Sequence, residues 1–581
     1  MANINSAATG DWNATSSWSG GVVPVAGDLV TILSGHNITL TQDQPTGVVV
    51  INSGGTLTGG GFKLTLNDAA GTTFIFSSVG TISGVLDIDI TGGSADRPIN
   101  EAGTGNIRNL TINNSQTYRT HFHLTLDGDL TLTSGTLTTD SSQNRTLTVT
   151  GDVIIAAAGG LTCNSSTVSV NSFTISSGGT LSLPDASGSC TITGSLSGWS
   201  LQNNSQNLSH NNGTVTQTGN GHHKSVFTNP LYNFVVNMVH LSHQSTFRAA
   251  GVGGLSLTEV KVAANNVTVT RGTLQFNTST DNAEMGSLKI ASEGTYLATS
   301  GTTTVSKEAD TGGTDFMFHN DGTFTHNDGK FVFDDAGLSS SSNVRCSSSF
   351  YDVELTMGSF SLTSHHNMNV ARDFTVTTGT YSDGSNGFTI DRDVSVANGA
   401  TLNLSNSSTQ TKTLGSISVA SGGTFRACRG TTIITNETSG HAWKNDGGTF
   451  NHNSGKVKFD LENSAGSSSV KENEFYDVEI DMFASTHSLS FFDVSGNAVT
   501  ILNNLDITKG EMDFSTASDT ITIHGLTKIA ADGTFSDNAA HDTNKIIHNG
   551  LVTNSGTYKI NDGTTVKMNG GIRNLGTITV A

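Results

Sequence analysis

The sequence predicts an all-β chain, a right-handed parallel β-helix in which short strands stack coil upon coil. Three observations point there: too little apolar material for an ordinary globular core, regular alternation of apolar and polar residues, and internal repetition on two length scales.

Of 581 residues, 34% are hydrophobic and 13% charged, against roughly 45–50% and about 25% in average domains. Ser, Thr and Asn fill the difference, beside 67 Gly and 5 Pro. Disordered chains share the low hydrophobicity, but they carry high charge and few β-branched residues. Here runs such as "LTLDGDLTLTSGTLTT" (124–139) alternate apolar with polar positions, the pattern of strands with one buried face. Stacked coils suit so thin a core, because each coil hides its apolar side chains between its neighbours.

The repetition is explicit. One block recurs as "IRNLTI" from Ile107, "LYNFVV" from Leu231, "FYDVEL" from Phe350 and "FYDVEI" from Phe475, at spacings of 124, 119 and 125 residues. A second pair, "DGTFTHNDGKFVFD" (321–334) and "GGTFNHNSGKVKFD" (447–460), sets Phe324 and Phe450 126 apart. A bulky aromatic precedes each block, at Phe76, Trp199, Phe318 and Trp443. Within each repeat of roughly 120 residues, "GGTL"-type turns (Gly54-Gly55, Gly178-Gly179, Gly422-Gly423) mark coils of about 20–27 residues, so each repeat is expected to hold about five coils. Gly at such corners supplies positive φ. An array of β-sandwich domains is the structural alternative, since short strands and regular turns also describe it; the coil-length period inside each repeat argues against it. Residues 1–40 read as an N-terminal cap, with Trp12, Trp18 and Pro24 over the first coil. Residues 41–530 read as the β-helix with four repeats, and 531–581 as further C-terminal coils.

The formal net charge of −20 excludes nucleic acid as a partner, since phosphate binding needs clustered Lys and Arg. The first residues show no basic n-region and no apolar h-region, and no stretch reaches 18 apolar residues. The expectation is therefore no signal peptide and no membrane span. Either the chain assembles in a cytoplasm and leaves by lysis, as virion parts do, or a leader has been removed.

The segment Gly10-Asp11-Trp12, Trp18-Ser19-Gly20-Gly21-Val22-Val23-Pro24 and Gly27-Asp28-Leu29-Val30-Thr31-Ile32 resembles the opening of β-helical proteins of bacteriophage virions and bacterial surfaces. It is also similar to part of the domain named for its eight glycines in secreted carbohydrate-associated proteins. The likeness covers about 30 residues. It implies a β-helix start and a virion or extracellular setting, and it brings no catalytic residues with it.

Chemistry-bearing residues mostly carry a structural reading. His123, His243, His366 and His487 fall at matching places in the repeats, with His121, His240 and His365 beside them. A whole repeat separates each from the next, so they cannot share an ion, and only a local pair such as His121 and His123 has metal-binding spacing. Asp127, Asp129, Asp321 and Asp328 adjoin Gly or Asn and read as turn formers, since calcium needs six or more converging oxygens. A glycan-cleaving spike needs two facing carboxylates. Asp334, Asp335, Glu354, Asp391, Asp393 and Glu479 are the candidates, but Glu354 and Glu479 share one repeat position. The aromatics Phe76, Trp199, Phe318 and Trp443 read as core before sugar platform. Asparagines in aligned coils suggest hydrogen-bonded ladders. Cys163, Cys190, Cys346 and Cys428 lack C-x-x-C spacing, which leaves buried free thiols, with a Cys163–Cys190 bridge as the alternative. No catalytic, cofactor-binding or metal residue is assigned, and no cofactor is expected.

The functional expectation is a non-enzymatic structural and adhesive virion protein: a phage fibre, spike or capsid-associated appendage displaying a rigid β-rod. Self-association, as a homotrimer or within a larger particle, is expected, with other virion proteins and a host-surface glycan as further partners. The alternatives are a bacterial cell-surface adhesin or extracellular filament subunit, and a glycan-depolymerising tailspike enzyme.

Overall fold

The computed structural model describes residues 2–68, 73–93, 97–101, 103, 105, 107–205, 207–226, 229–248, 259–276, 280–309, 315–404, 410–461, 466–492, 498–514, 520–537, 545–561 and 563–580. The chain divides into two compact units, Met1–Thr299 and Ser300–Ala581. The described residues form 57 strands and no α-helix.

Alternation dictates the local structure. In Lys63–Asn67 the sequence KLTLN buries Leu64 and Leu66 and turns Lys63 and Thr65 outward, as a side-chain period of two requires. Three such strands make a coil. Leu29–Ile32, Asn37–Thr39 and Gln44–Thr46 are each covered in parallel register by a strand of the next coil: Val48–Ile51, Thr56–Thr58 and Lys63–Asn67. Both units are therefore built as parallel β-solenoids, and the sandwich alternative falls away: every pairing along the columns traced below is parallel.

Inward residues stack into columns. In the first unit one column runs Leu64, Ile88, Leu110, Leu130, Val153, Phe173, Leu201. In the second unit another runs Phe331, Val353, Phe374, Val394, Ile417, Trp443. All of these side chains are buried, which removes roughly 1.5–3 kcal/mol worth of apolar surface per large residue from water.

The columns correct the expected repeat length. Trp199–Asn203 is the repeat counterpart of Phe76–Ser78, yet its Leu201 stacks five steps above Ile88, which lies two strands after Phe76. Likewise Trp443 is the counterpart of Phe318 but stacks five steps above Phe331, two strands later. These two repeats, one in each unit, thus span five coils plus two strands, seventeen strands instead of fifteen. Within each unit, corresponding residues of successive repeats lie on different faces of the solenoid.

Corners use glycine in two ways. Gly422 (φ 81°) supplies the left-handed bend. Its neighbour Gly423 is needed for closeness, since a Cβ there would lie 2.8 Å from the Ala397 carbonyl oxygen. In repeats three and four the blocks fill the interior with aromatic clusters. Phe318, Phe324, Phe331 and Phe350 meet at centroid distances of 4.9–6.0 Å. One repeat on, Trp443, Phe450 and Phe475 meet at 4.7–5.7 Å.

In the first 40 residues Asn3–Asn5 pairs with Leu29–Ile32 and Gly10–Asp11 with Asn37–Thr39, so they belong to the first coil. Trp12 and Trp18 are buried edge to face at 5.0 Å, and Trp18 Nε1 donates to the Trp12 carbonyl. At the other end Ile572–Asn574 and Thr577–Val580 continue the ladders.

Candidate functional site

The recurring block is explained residue by residue. Phe350 and Phe475 point into the core. The next residue, Tyr351 or Tyr476, lies on the outside and stacks on a histidine of the preceding coil, His326 (5.5 Å, 26°) or His452 (5.6 Å, 23°). Tyr232 stacks in the same way on His210 (5.3 Å, 27°). Each histidine opens a tight turn whose next two residues have positive φ: Asn211 and Asn212, Asn327 and Asp328, Asn453 and Ser454. Its Nδ1 accepts the backbone N–H two residues on, at 2.9–3.0 Å.

The third block residue ties one coil to the next. Asp352 Oδ1 accepts the N–H of Asp373 (3.1 Å), Asp477 Oδ1 that of Asn504 (2.8 Å), and Asn109 Oδ1 that of Asp129 (2.7 Å). In the first repeat the ladder continues, with Asp129 Oδ1 accepting from the N–H of Asp152. The fifth residue, Glu354 or Glu479, pairs with Lys330 (2.9 Å) or Lys456 (2.7 Å). Partial burial works to raise the Glu354 carboxyl, but hydrogen bonds from Lys330 and Thr377 outweigh it and hold the group below its ordinary value.

The remaining sequence candidates are dispersed. His123 Nδ1 accepts from the Thr146 N–H (2.9 Å); His243 Nδ1 lies 3.3 Å from the Gly219 carbonyl, its ring edge-on to His240. His365 bonds Asn343, and His487 packs against Phe483. Asp321 pairs with His319 (2.9 Å), and Asp334 accepts from the Thr356 hydroxyl (2.8 Å). Among the described residues no group of three or more His, Cys, Asp or Glu is arranged to hold a metal ion, and no helix is long and apolar enough to cross a membrane. Phe76, Phe318 and Trp443 are buried, whereas Trp199 is half-exposed beneath the Arg248 guanidinium (5.4 Å). The four cysteines are free and buried. Burial pushes the Cys190 thiol up to about 12 and Cys346 to about 11, which makes both poor nucleophiles at neutral pH.

One cleft, of about 310 Å³, stands out on the second unit. Its floor is the outward column Ser395, Ser418, Lys444 from three successive coils. Its wall is a four-residue hairpin at 438–441, where Thr438 and His441 exchange two backbone hydrogen bonds (2.9 and 3.0 Å) across Ser439 (φ 53°) and Gly440 (φ 82°), the geometry of a primed turn. Asp393 closes one end. It is the last carboxylate of a ladder in which Arg372 pairs with Asp352 and Asp373, and Arg392 with Asp373 and Asp393. Its Oδ1 accepts the hydroxyls of Ser416 and Thr438, which fixes the hairpin to the coil below. At the other end the Lys444 ammonium is 2.9 Å from Asp446, and His441 Nδ1 is 2.6 Å from the Ser469 hydroxyl. Burial, reinforced by Lys444, holds His441 below its ordinary value. Hydroxyl, ammonium, imidazole and carboxylate thus surround one small space. Sequence reasoning named Asp393 but missed Ser395, Ser418, Thr438, His441 and Lys444, because their convergence depends on coil register.

The chain matches no family model, no curated protein and no solved structure.

Proposed function

We propose that this chain is a non-enzymatic structural and adhesive component of a virion, a fibre, spike or capsid-associated appendage that displays a β-solenoid surface. The supporting observation is where the repetition spends its residues. The block that recurs through the sequence builds core aromatics, inter-coil ladders such as Asp352 to Asp373, and ion pairs such as Lys330 with Glu354, all of which stiffen the coil. Because the repeat covers seventeen strands, its outward histidine–tyrosine corners fall on more than one face of the second unit. A surface shown in several directions suits attachment and assembly better than a single buried site does.

Quantitative mass spectrometry of purified virions and of the host cell-surface fraction tests the reading. Stoichiometric abundance in virions is the expected result. Recovery only with cell envelopes or shed filaments overturns it in favour of a bacterial surface adhesin, and loss of polysaccharide viscosity on incubation overturns the non-enzymatic part.

A further inference from the structure

We infer that the cleft between Asp393 and Lys444 is a binding site for one ring of a neutral saccharide. This rests on the adhesive reading above and gives it a ligand class and an address.

The cleft is built, not incidental. The Thr438 hydroxyl is held on Asp393, and the Ser469 hydroxyl donates to the Gly440 carbonyl (2.7 Å), so the hairpin is tied down on both sides. The floor is set by strand register, with Ser395, Ser418 and Lys444 on the same outward column of adjacent coils about 4.8 Å apart. That spacing places donors and acceptors at the scale of alternate, 1,3-related equatorial hydroxyls on a sugar ring. The volume of about 310 Å³ is at the small end of ligand pockets, enough for one ring with its neighbours left in solvent.

The lining decides the chemistry. A sugar hydroxyl both donates and accepts, and the cleft offers both roles: serine hydroxyls, a carboxylate and an ammonium. A strongly anionic ligand is disfavoured, because the Lys444 ammonium is already paired with Asp446 and Asp393 brings negative charge to the other end. A flat apolar ligand finds no aromatic face other than the His441 ring. A neutral polyol satisfies all of these groups.

The test is binding of the full chain to an array of neutral oligosaccharides built from glucose, galactose, mannose and N-acetylglucosamine, with hyaluronan and polysialic acid included as anionic probes. Saturation-transfer NMR on the best binder follows, using wild type, Lys444→Ala and Ser418→Trp. Both substitutions are on the outside, and unchanged melting confirms that the coil is intact. The expected result is binding of a neutral glycan that weakens at least about tenfold in Lys444→Ala, the loss of roughly one good hydrogen bond, and vanishes in Ser418→Trp, where an indole fills the floor. Three outcomes overturn the inference: no neutral glycan bound by wild type, preference for the anionic probes, or equal binding by wild type and both variants. Equal binding leaves adhesion standing at another address. A virion-borne protein with no glycan affinity leaves the structural reading standing without this site.

Discussion

The carboxylate of Asp352 accepts the backbone N–H of Asp373, one coil further on, at 3.1 Å. Asp477 repeats this bond with Asn504 at 2.8 Å, and Asn109 makes it with Asp129 at 2.7 Å. Backbone N–H groups at a bend still need an acceptor, and at these three bends a side chain on the neighbouring coil supplies it. Asp352→Ala removes that acceptor and the partner of Arg372, and should cost about 1–3 kcal/mol. Denaturant unfolding of the variant measures it, and Asp352→Asn, which keeps the acceptor oxygen, should recover most of the loss.

The aromatic clusters predict a regional effect. Phe475 touches Trp443, Phe450 and Phe459 at centroid distances of 5.4–6.2 Å. Phe475→Ala should cost about 3–5 kcal/mol. Because each coil touches only its neighbours, hydrogen exchange should speed up in the coils between about residues 440 and 515 and remain slow in those around Phe374.

The two glycines of a corner should respond differently. Gly422→Ala meets an unfavourable φ, worth about 1 kcal/mol, and the amide oxygen of Asn398, the end of a flexible side chain that can move aside. Gly423→Ala drives a Cβ to 2.8–3.1 Å from three carbonyl oxygens, an overpacking cost of about 1–3 kcal/mol. Paired melting curves should place Gly423→Ala lower.

Acid should loosen the C-terminal coils of the second unit. His548 is buried, with Nδ1 2.8 Å from the Thr527 hydroxyl and Nε2 2.9 Å from that of Tyr558, and burial pulls its pKa down to about 4. The unfolded histidine titrates near 6.5, so between about pH 6.5 and 4 the unfolded chain binds the extra proton. Stability is therefore full above pH 6.5 and falls by about 3 kcal/mol as pH drops toward 4. A pH series of hydrogen exchange over 545–560 checks this, and His548→Gln should flatten the slope in that window.

Much of the fold was legible because alternation and repetition are written directly in the chain. Leu64 and Leu66 face inward as their spacing requires, and the blocks at Phe350 and Phe475 do mark equivalent structure. Coil length was less legible. Corners vary from the tight bend at Gly422-Gly423 to the hairpin at 438–441, so counting residues undercounts strands, and five coils became five and two thirds. The cleft was nearly illegible. Ser395, Ser418 and Lys444 lie 23 and 26 residues apart, and only the pairing register places them side by side. The histidine–tyrosine stacks had a signal that went unread, the His-Asn-x-Gly turns at His210, His326 and His452.

Disulfide trapping tests the seventeen-strand repeat most directly. Lateral neighbours in a parallel ladder lie about 4.8 Å apart, within the span a disulfide bridges, and the four native thiols are buried. Ser418 and Lys444 are lateral neighbours, so Ser418→Cys with Lys444→Cys should cross-link rapidly on mild oxidation. If the repeat were instead a whole number of coils, Trp443 would share the column of Phe318 and its strand would lie over Thr424–Arg426. Cross-linking of Arg426→Cys with Lys444→Cys, in place of the first pair, would contradict the register on which both the rotating faces and the cleft depend.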